Sequence, residues 1–216
     1  MRHTCDGWGI VANRRQHIIE SAADIVYRKG FAGTTVDDML RAAGVGKGNF
    51  YHYFRSKDDL GLAIVDDLAK ALNGPAFDEI FSHAKSPLQR LNDYVAVIRE
   101  RRHADNCGDA LANLAAELGH VERFSDRIRR AYAALIDRFE SLVTELALET
   151  GSTAEARPVA RAIVAQIDGA CLLFKVDGDQ QAFDATLAAI APALTAVIRA
   201  SAPQSEQARP SPIRRP

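Results

Sequence analysis

The chain has 216 residues, 47% hydrophobic and 25% charged, with a formal net charge of −1. That length suits one small and one larger domain, and the apolar share supports a substantial core. A near-neutral balance argues against a constitutive architectural DNA binder, which would be more basic overall. No run of about 18 uninterrupted apolar residues occurs, so no membrane-spanning helix is expected. The N-terminus, MRHTCDGWGIVANRRQ, lacks the apolar segment and small-residue cleavage site of a signal peptide. Three cysteines, Cys5, Cys107 and Cys171, without metal-type spacing, point to free thiols in a reducing cytoplasm.

Residues 1–13 read as a flexible arm, and the first helix is expected from Arg14 to Lys29, ending at Gly30-Phe31. The stretch that follows, TTVDDMLRAAGVGKGNFYHYFRSKDDL (Thr34 to Leu60), is the most informative in the chain. Thr35 and Asp38 have the spacing of a capping box, in which hydroxyl and acid each satisfy an otherwise orphaned backbone N–H. Val36, Met39 and Leu40 give the short helix behind it one apolar face. Gly44 sits where the helix must stop and turn, with Val45 as the apolar plug. From Lys47 to Phe54 a second short helix turns Phe50 and Phe54 inward and Lys47, Asn49, Tyr51, His52 and Tyr53 outward. Ser56 and Asp59 then form a second capping box that opens the next helix. Two short helices around a tight turn, the second crowded with polar aromatic and basic groups, are the pattern of a helix-turn-helix. A buried aromatic patch would explain Phe50 and Phe54, but not the polar aromatics beside them.

The segment GVGKGNFYHYFRSKDDL resembles the signature of the TetR family, and the resemblance extends over roughly Arg14 to Ala69. It implies an all-α protein: a helix-turn-helix DNA-binding domain at 14–56 and a helical effector-binding and dimerisation domain at 57–200. It also implies double-stranded operator DNA, a small-molecule effector and a second copy of the chain as partners. Lys47, Gly48, Tyr51 and His52 match the family's base-facing positions, and Thr35, Asn49, Tyr53 and Lys57 its phosphate-facing ones. Lys47 and His52 are suited to purine acceptors, and Tyr51 to a hydrogen bond or a thymine methyl. Lys47, Arg55 and Lys57 make the segment locally cationic. Gly46 departs from the small polar residue that usually caps this helix.

Beyond Leu72 the periodicity stays helical. Asn73-Gly74-Pro75 breaks the connecting helix, and Pro87 suits the first turn of the next. Behind it Leu88, Leu91, Tyr94, Val95 and Ile98 form a stripe, and Arg99 to His103 close the helix with positive charge. A short helix is expected over about Asp109 to Leu118, then a long one capped by Ser125 and carrying Ile128, Tyr132, Leu135, Ile136, Phe139, Val143 and Leu146. Gly151-Ser152 separate it from a final pair, about Pro158 to Val176 and Gln181 to Ala200. That pair is rich in small residues: Ala160, Ala162, Ala165, Gly169 and Ala170, then Ala185, Ala188, Ala189, Ala191, Ala193 and Ala196. Small residues let helices approach closely, and in the TetR family the last two helices build the dimer interface. Residues 201–216 have no apolar stripe and read as a disordered tail.

Two readings of the effector response are open. NCGDALANLAAELG resembles a branch of the family in which a cysteine at a helix start senses electrophiles or oxidants, and Cys107 matches that cysteine. A helix N-terminus favours thiolate, whereas Asp109 opposes it. Lys175 matches a basic partner in the penultimate helix, but equally suits a helix C-terminus. If Cys107 is a structural thiol, an apolar ligand binds reversibly in a cavity lined by Tyr94, Ile98, Leu111, Phe139 and Phe174. Cys171, among alanines and leucines, reads as a packing thiol.

An enzyme is not expected, and no cofactor is implied. The six histidines are scattered, with no HExxH, GxSxG or phosphate-cradling glycine loop. Glu117 and His120 have metal-pair spacing, but one such pair without a partner reads as a solvated face.

Overall fold

The structure, a computed structural model, describes residues 6–72, 74–105 and 110–203, and every regular element among them is α-helical. In chain order these are α1 (Asp6–Lys29), α2 (Val36–Ala43), α3 (Lys47–Tyr53), α4 (Lys57–Leu72), α5 (Pro75–Ile80) and α6 (Pro87–Asp105). There follow α7 (Ala110–Leu118), α8 (Glu122–Thr150), α9 (Ala156–Asp177), α10 (Gln180–Ala188) and α11 (Ile190–Ala200).

Several local expectations need correction. α1 starts at Asp6, so residues 6–13 continue the first helix rather than forming an arm; no proline interrupts them, and Gly7 and Gly9 only weaken the helix. The sequence pattern missed α5, a six-residue helix with Pro75 at its start. Ser125 is not the cap of α8. Val121 is, with no capping side chain, and the Ser125 hydroxyl donates back to the Glu122 carbonyl at 3.2 Å. The expected final helix is two, broken at Ala189. Pro192 has no N–H to offer the Ala188 carbonyl four residues back, and its ring crowds that oxygen. The tail expected from residue 201 begins attached: the Ser201 carbonyl accepts the Thr153 N–H and hydroxyl, both at 2.9 Å. Residues 204–216 lie outside the described ones.

Two hydrophobic cores organise the helices. The N-terminal core gathers Ile18, Ile19, Met39, Phe50, Phe54 and Leu60; the larger one gathers Leu91, Tyr94, Phe139, Leu142, Ile163 and Leu194, among others. The packing does not divide at residue 56. α4 gives Leu60 to Val65 to the first core and Leu72 to the second; α7 gives Leu114 and Leu118 to the first and Leu111 to the second. α8 likewise places Phe124 and Ile128 in the first and Leu135 onward in the second. Three continuous helices therefore contribute side chains to both cores.

Inside the larger core Arg90, 2% exposed, pairs through both terminal nitrogens with the Glu145 carboxylate, the Nη1 contact being 3.1 Å. Helices α9, α10 and α11 bury Ile163, Ile167, Phe174, Phe183, Leu187 and Ile198 in the same core. Residues 180–200 are apolar enough on average to span a membrane by length and composition alone. Their Phe183, Leu187, Ile190, Leu194 and Ile198 instead pack into the bundle core. Of the small residues, Ala160 and Ala170 are buried, whereas Ala162, Ala165, Ala185, Ala188, Ala189, Ala193 and Ala196 are exposed. Beside them stand Leu172 and Leu173, each 60% exposed, and Val176, 79% exposed. Helices α9 and α11 thus leave an apolar, low-relief face outside the bundle.

Candidate nucleic-acid interface and bundle cavity

Local chemistry builds the helix-turn-helix much as the spacing predicts. The Thr35 Oγ1 accepts the Asp38 N–H at 3.1 Å, and Asp38 Oδ2 accepts the Thr35 N–H at 3.1 Å. The Thr35 hydroxyl also donates to Asp38 at 2.7 Å, so both Thr35 donors are held within the cap. That hydroxyl bond first, and the backbone N–H second, hold the Asp38 carboxyl below the usual range. Gly44 ends α2 at φ +63°, a left-handed conformation that costs glycine little. Val45 packs half-buried behind the turn. The second cap differs in one detail: Ser56 accepts the Asp59 N–H, but Asp59 reaches past Ser56 to the Arg55 N–H at 3.0 Å.

α3 rests on buried Phe50 and on Phe54 at its end, with the two rings 5.8 Å apart. Arg15 of α1, unassigned from the sequence, covers the Phe54 ring at 5.0 Å. With those anchors set, Lys47, Gly48, Asn49, Tyr51 and His52 are all exposed, and Tyr51 is 60% exposed. Tyr53 is half-buried against the N-terminal core and meets the His52 ring edge-on at 4.7 Å. Lys57 sits over the Phe31 ring at 4.4 Å. The surface is less cationic than the sequence alone indicates: α2 brings Asp37 to 3.2 Å from the Lys47 ammonium. α3 begins at Gly46 with no side-chain cap, and space is open where a Cβ would stand.

The second feature is a cavity of about 270 Å³ between α7 and α9, bordered by Ala112, Asn113, Ala116, Tyr132, Asp168, Gly169, Cys171 and Leu172. Behind it lies a void of about 10 Å³ bordered by Leu72, Tyr94, Leu111, Tyr132 and Asp168, with Leu135, Val164 and Ile167. Of the residues expected to line an effector cavity, Tyr94 and Leu111 border the small void and not the larger cavity. Ile98, Phe139 and Phe174 are buried in the larger core and border neither of these two spaces. Phe139 packs edge-on against Tyr94 at 5.0 Å and Phe81 at 5.4 Å, and Phe174 meets Phe183 at 5.3 Å. Cys171, expected only to pack, is buried yet borders the cavity. Lys175 is exposed and donates to Asn113 Oδ1 at 3.1 Å. Cys107 and Asp109 lie outside the described residues. Sequence reading missed Asp168; its signal was an acid inside the apolar run AIVAQIDGACLLF. The Glu117 carboxylate accepts the Ala32 N–H at 2.9 Å.

Residues 18–64 match the family described as bacterial regulatory proteins, tetR family. An HTH-type transcriptional regulator from the lacX 3′ region of Lactococcus lactis is 32% identical over 172 residues, covering 77% of this chain and 86% of that one. The HTH-type transcriptional repressor DhaR of a Mycobacterium species is 28% identical over 187 residues, 83% of this chain and 91% of its own. Among solved structures, the regulatory protein TetR from Rhodobacter sphaeroides superposes with a TM-score of 0.74 at 26% identity, over 82% of this chain and 96% of that one. The exposed α3 row, the all-helical fold and these similarities over most of the chain agree: the chain belongs to the tetR family and is a DNA-binding transcriptional regulator.

Proposed function

We propose that the protein is a repressor that holds operator DNA as a homodimer and releases it when a small molecule occupies the cavity between α7 and α9. The observation that carries the DNA reading is the exposed row on α3 over buried Phe50 and Phe54. In this reading Lys47, Tyr51 and His52 read base edges, and Gly48 lets the backbone approach. Asn49, Tyr53 and Lys57 position the phosphates, with Lys57 held over the Phe31 ring. Thr35 contributes mainly through its cap, since both its donors go to Asp38.

Repression is supported by relatives named as repressors, including DhaR. Dimerisation is supported by the apolar face of α9 and α11, where exposed alanines allow close approach and Leu172, Leu173 and Val176 supply area to bury. Two copies place two recognition helices about 34 Å apart, one turn of the duplex. Such a protein works where the chromosome is, in the cytoplasm. Release follows from the shared helices: a ligand that moves α7 or α4 moves the N-terminal core and alters the spacing of the two α3 helices.

The test is fluorescence anisotropy on an operator selected from genomic fragments, with random DNA alongside. His52→Ala and Tyr51→Ala are expected to lose about 1–3 kcal/mol on the operator and far less on random DNA. Lys57→Ala is expected to weaken both alike and lower the salt slope by about one. Equal losses on both DNAs for His52→Ala would overturn the base-reading assignment.

A further inference from the structure

Helices α2 and α3 bring one couple of opposite charges to the surface that α3 presents. The Asp37 carboxylate lies 3.2 Å from the Lys47 ammonium, and the two side chains are 61% and 69% exposed. The local chemistry of α2 does not use Asp37. Thr35 and Asp38 make the capping box, and Arg41, the only cation of α2, pairs with Asp38 at 3.1 Å. The helix dipole favours an acid in the first turn, but Asp38 already supplies one there. Around Lys47 the chain is bare: Gly46 and Gly48 flank it, and nothing lies within 4 Å of a Cβ built on either. An acid on this surface lowers affinity for any duplex, because the phosphates repel it. Such a charge is favourable only where the DNA presents a donor to it.

Resting on the reading that Lys47 faces base edges, we propose that Asp37 and Lys47 act as one unit that reads a G·C pair in the major groove. Lys47 donates to guanine O6 and N7, and Asp37 accepts from the cytosine N4 amine. Guanine presents acceptors in that groove and its cytosine an amino donor beside them, so the couple is complementary to the edge of the pair. An A·T pair reverses the inner groups: the adenine N6 amine would face the ammonium, and thymine O4 the carboxylate. The ion pair persists while both bases are bound, since an ammonium has three donors and an ionised carboxylate about four acceptor sites. It also holds both side chains in place beforehand, so less rotamer freedom is lost on binding. Against phosphates alone the couple is close to neutral and adds little to non-specific affinity. Asp37 thereby trades affinity for discrimination.

The test is fluorescence anisotropy of the full chain on a selected operator and on a set in which each base pair is replaced in turn by the others. The wild type is expected to show, in each half-site, a G·C pair whose replacement by A·T weakens binding about tenfold. Asp37→Ala is expected to bind the G·C and A·T operators within about twofold of each other, and random DNA more tightly than the wild type does. Lys47→Ala is expected to lose the same preference at the same pair, and the double variant to lose no more than either. Each preference is a ratio measured on one preparation, so a lower folded fraction leaves it unmoved, and a merely structural Asp37 would not change it. If Asp37→Ala keeps the preference that Lys47→Ala loses, or that preference is not for G·C, the couple is overturned and base reading by Lys47 stands. If Lys47→Ala alters no base preference, that reading falls and this proposal with it.

Discussion

The Glu117 carboxylate of α7 accepts the Ala32 N–H across the α1–α2 turn at 2.9 Å, joining residues 85 positions apart. The same carboxylate fills the space beside Gly30, where a Cβ would stand 2.6 Å from its oxygen and where φ is +80°. Between those two residues Phe31 packs edge-on against Phe124 of α8 at 5.6 Å and lies beneath Lys57. One three-residue turn thus links α7 and α8 to a proposed phosphate contact. Glu117 follows directly on Ala116, a wall of the cavity. Glu117→Ala should speed hydrogen exchange at the Ala32 amide and cost about 1 kcal/mol of stability. It should also blunt the response of DNA affinity to an effector. An unchanged Ala32 exchange rate would show that the turn is held without Glu117.

The uncapped start of α3 offers a gain. Gly46 has an extended backbone, and nothing lies within 4 Å of a Cβ built there. Gly46→Ser supplies a hydroxyl for an orphaned N–H at the recognition helix, and stability should rise by a few tenths of a kcal/mol. Denaturant unfolding measures the gain; a lowered midpoint would mean the serine side chain does not reach the backbone.

Stability should fall in acid through Glu145. Its hydrogen bond with Arg90, above all, holds its carboxyl below the ordinary value of 4.5, against the opposing effect of burial. Because the folded-state pKa is the lower one, the pair's contribution is present above pH 4.5 and is lost as pH falls through the folded value. Asp38, held by Thr35, acts with the same sign. The melting temperature should therefore decline below about pH 4.5, and less steeply in Glu145→Gln. That variant should itself lose about 3 kcal/mol at neutral pH, because Arg90 stays buried without its counter-charge.

The α9–α11 face makes a sharp prediction about assembly. Leu173→Glu or Val176→Glu puts charge at exposed apolar positions, so the isolated subunit should fold normally. Light scattering should show the wild type as a dimer at micromolar concentration and these variants as monomers, with operator affinity falling accordingly. A wild-type monomer would remove this face from the proposal.

For an electrophile response we propose Cys107, which matches the sensing cysteine of the resembling branch, as the reacting thiol. Cys107→Ser should then abolish release from operator by an alkylating agent, while Cys171→Ser, buried at the cavity wall, should not. Normal release from the Cys107→Ser protein would leave the cavity as the route of sensing.

What the sequence determined by itself is whatever short-range spacing controls. Thr35 and Asp38 cap a helix because three residues bring hydroxyl and amide together. Gly44 turns the chain because its own backbone tolerates positive φ, and Phe50 and Phe54 share one helical face. These relations hold within a turn or two of helix, so the helix-turn-helix was legible in the sequence. Tertiary structure alone decided the rest. Asp37 reaches Lys47 only because α2 and α3 pack together, and Phe139 meets the rings of Tyr94 and Phe81 only because α5, α6 and α8 converge. Tyr132 meets Asp168, 36 residues on, only where α8 crosses α9. The stripe that places Tyr132 on the buried side is visible in the sequence, but its partner is not. Helical periodicity fixes which face a side chain takes; which other face it meets depends on how all the helices close-pack at once.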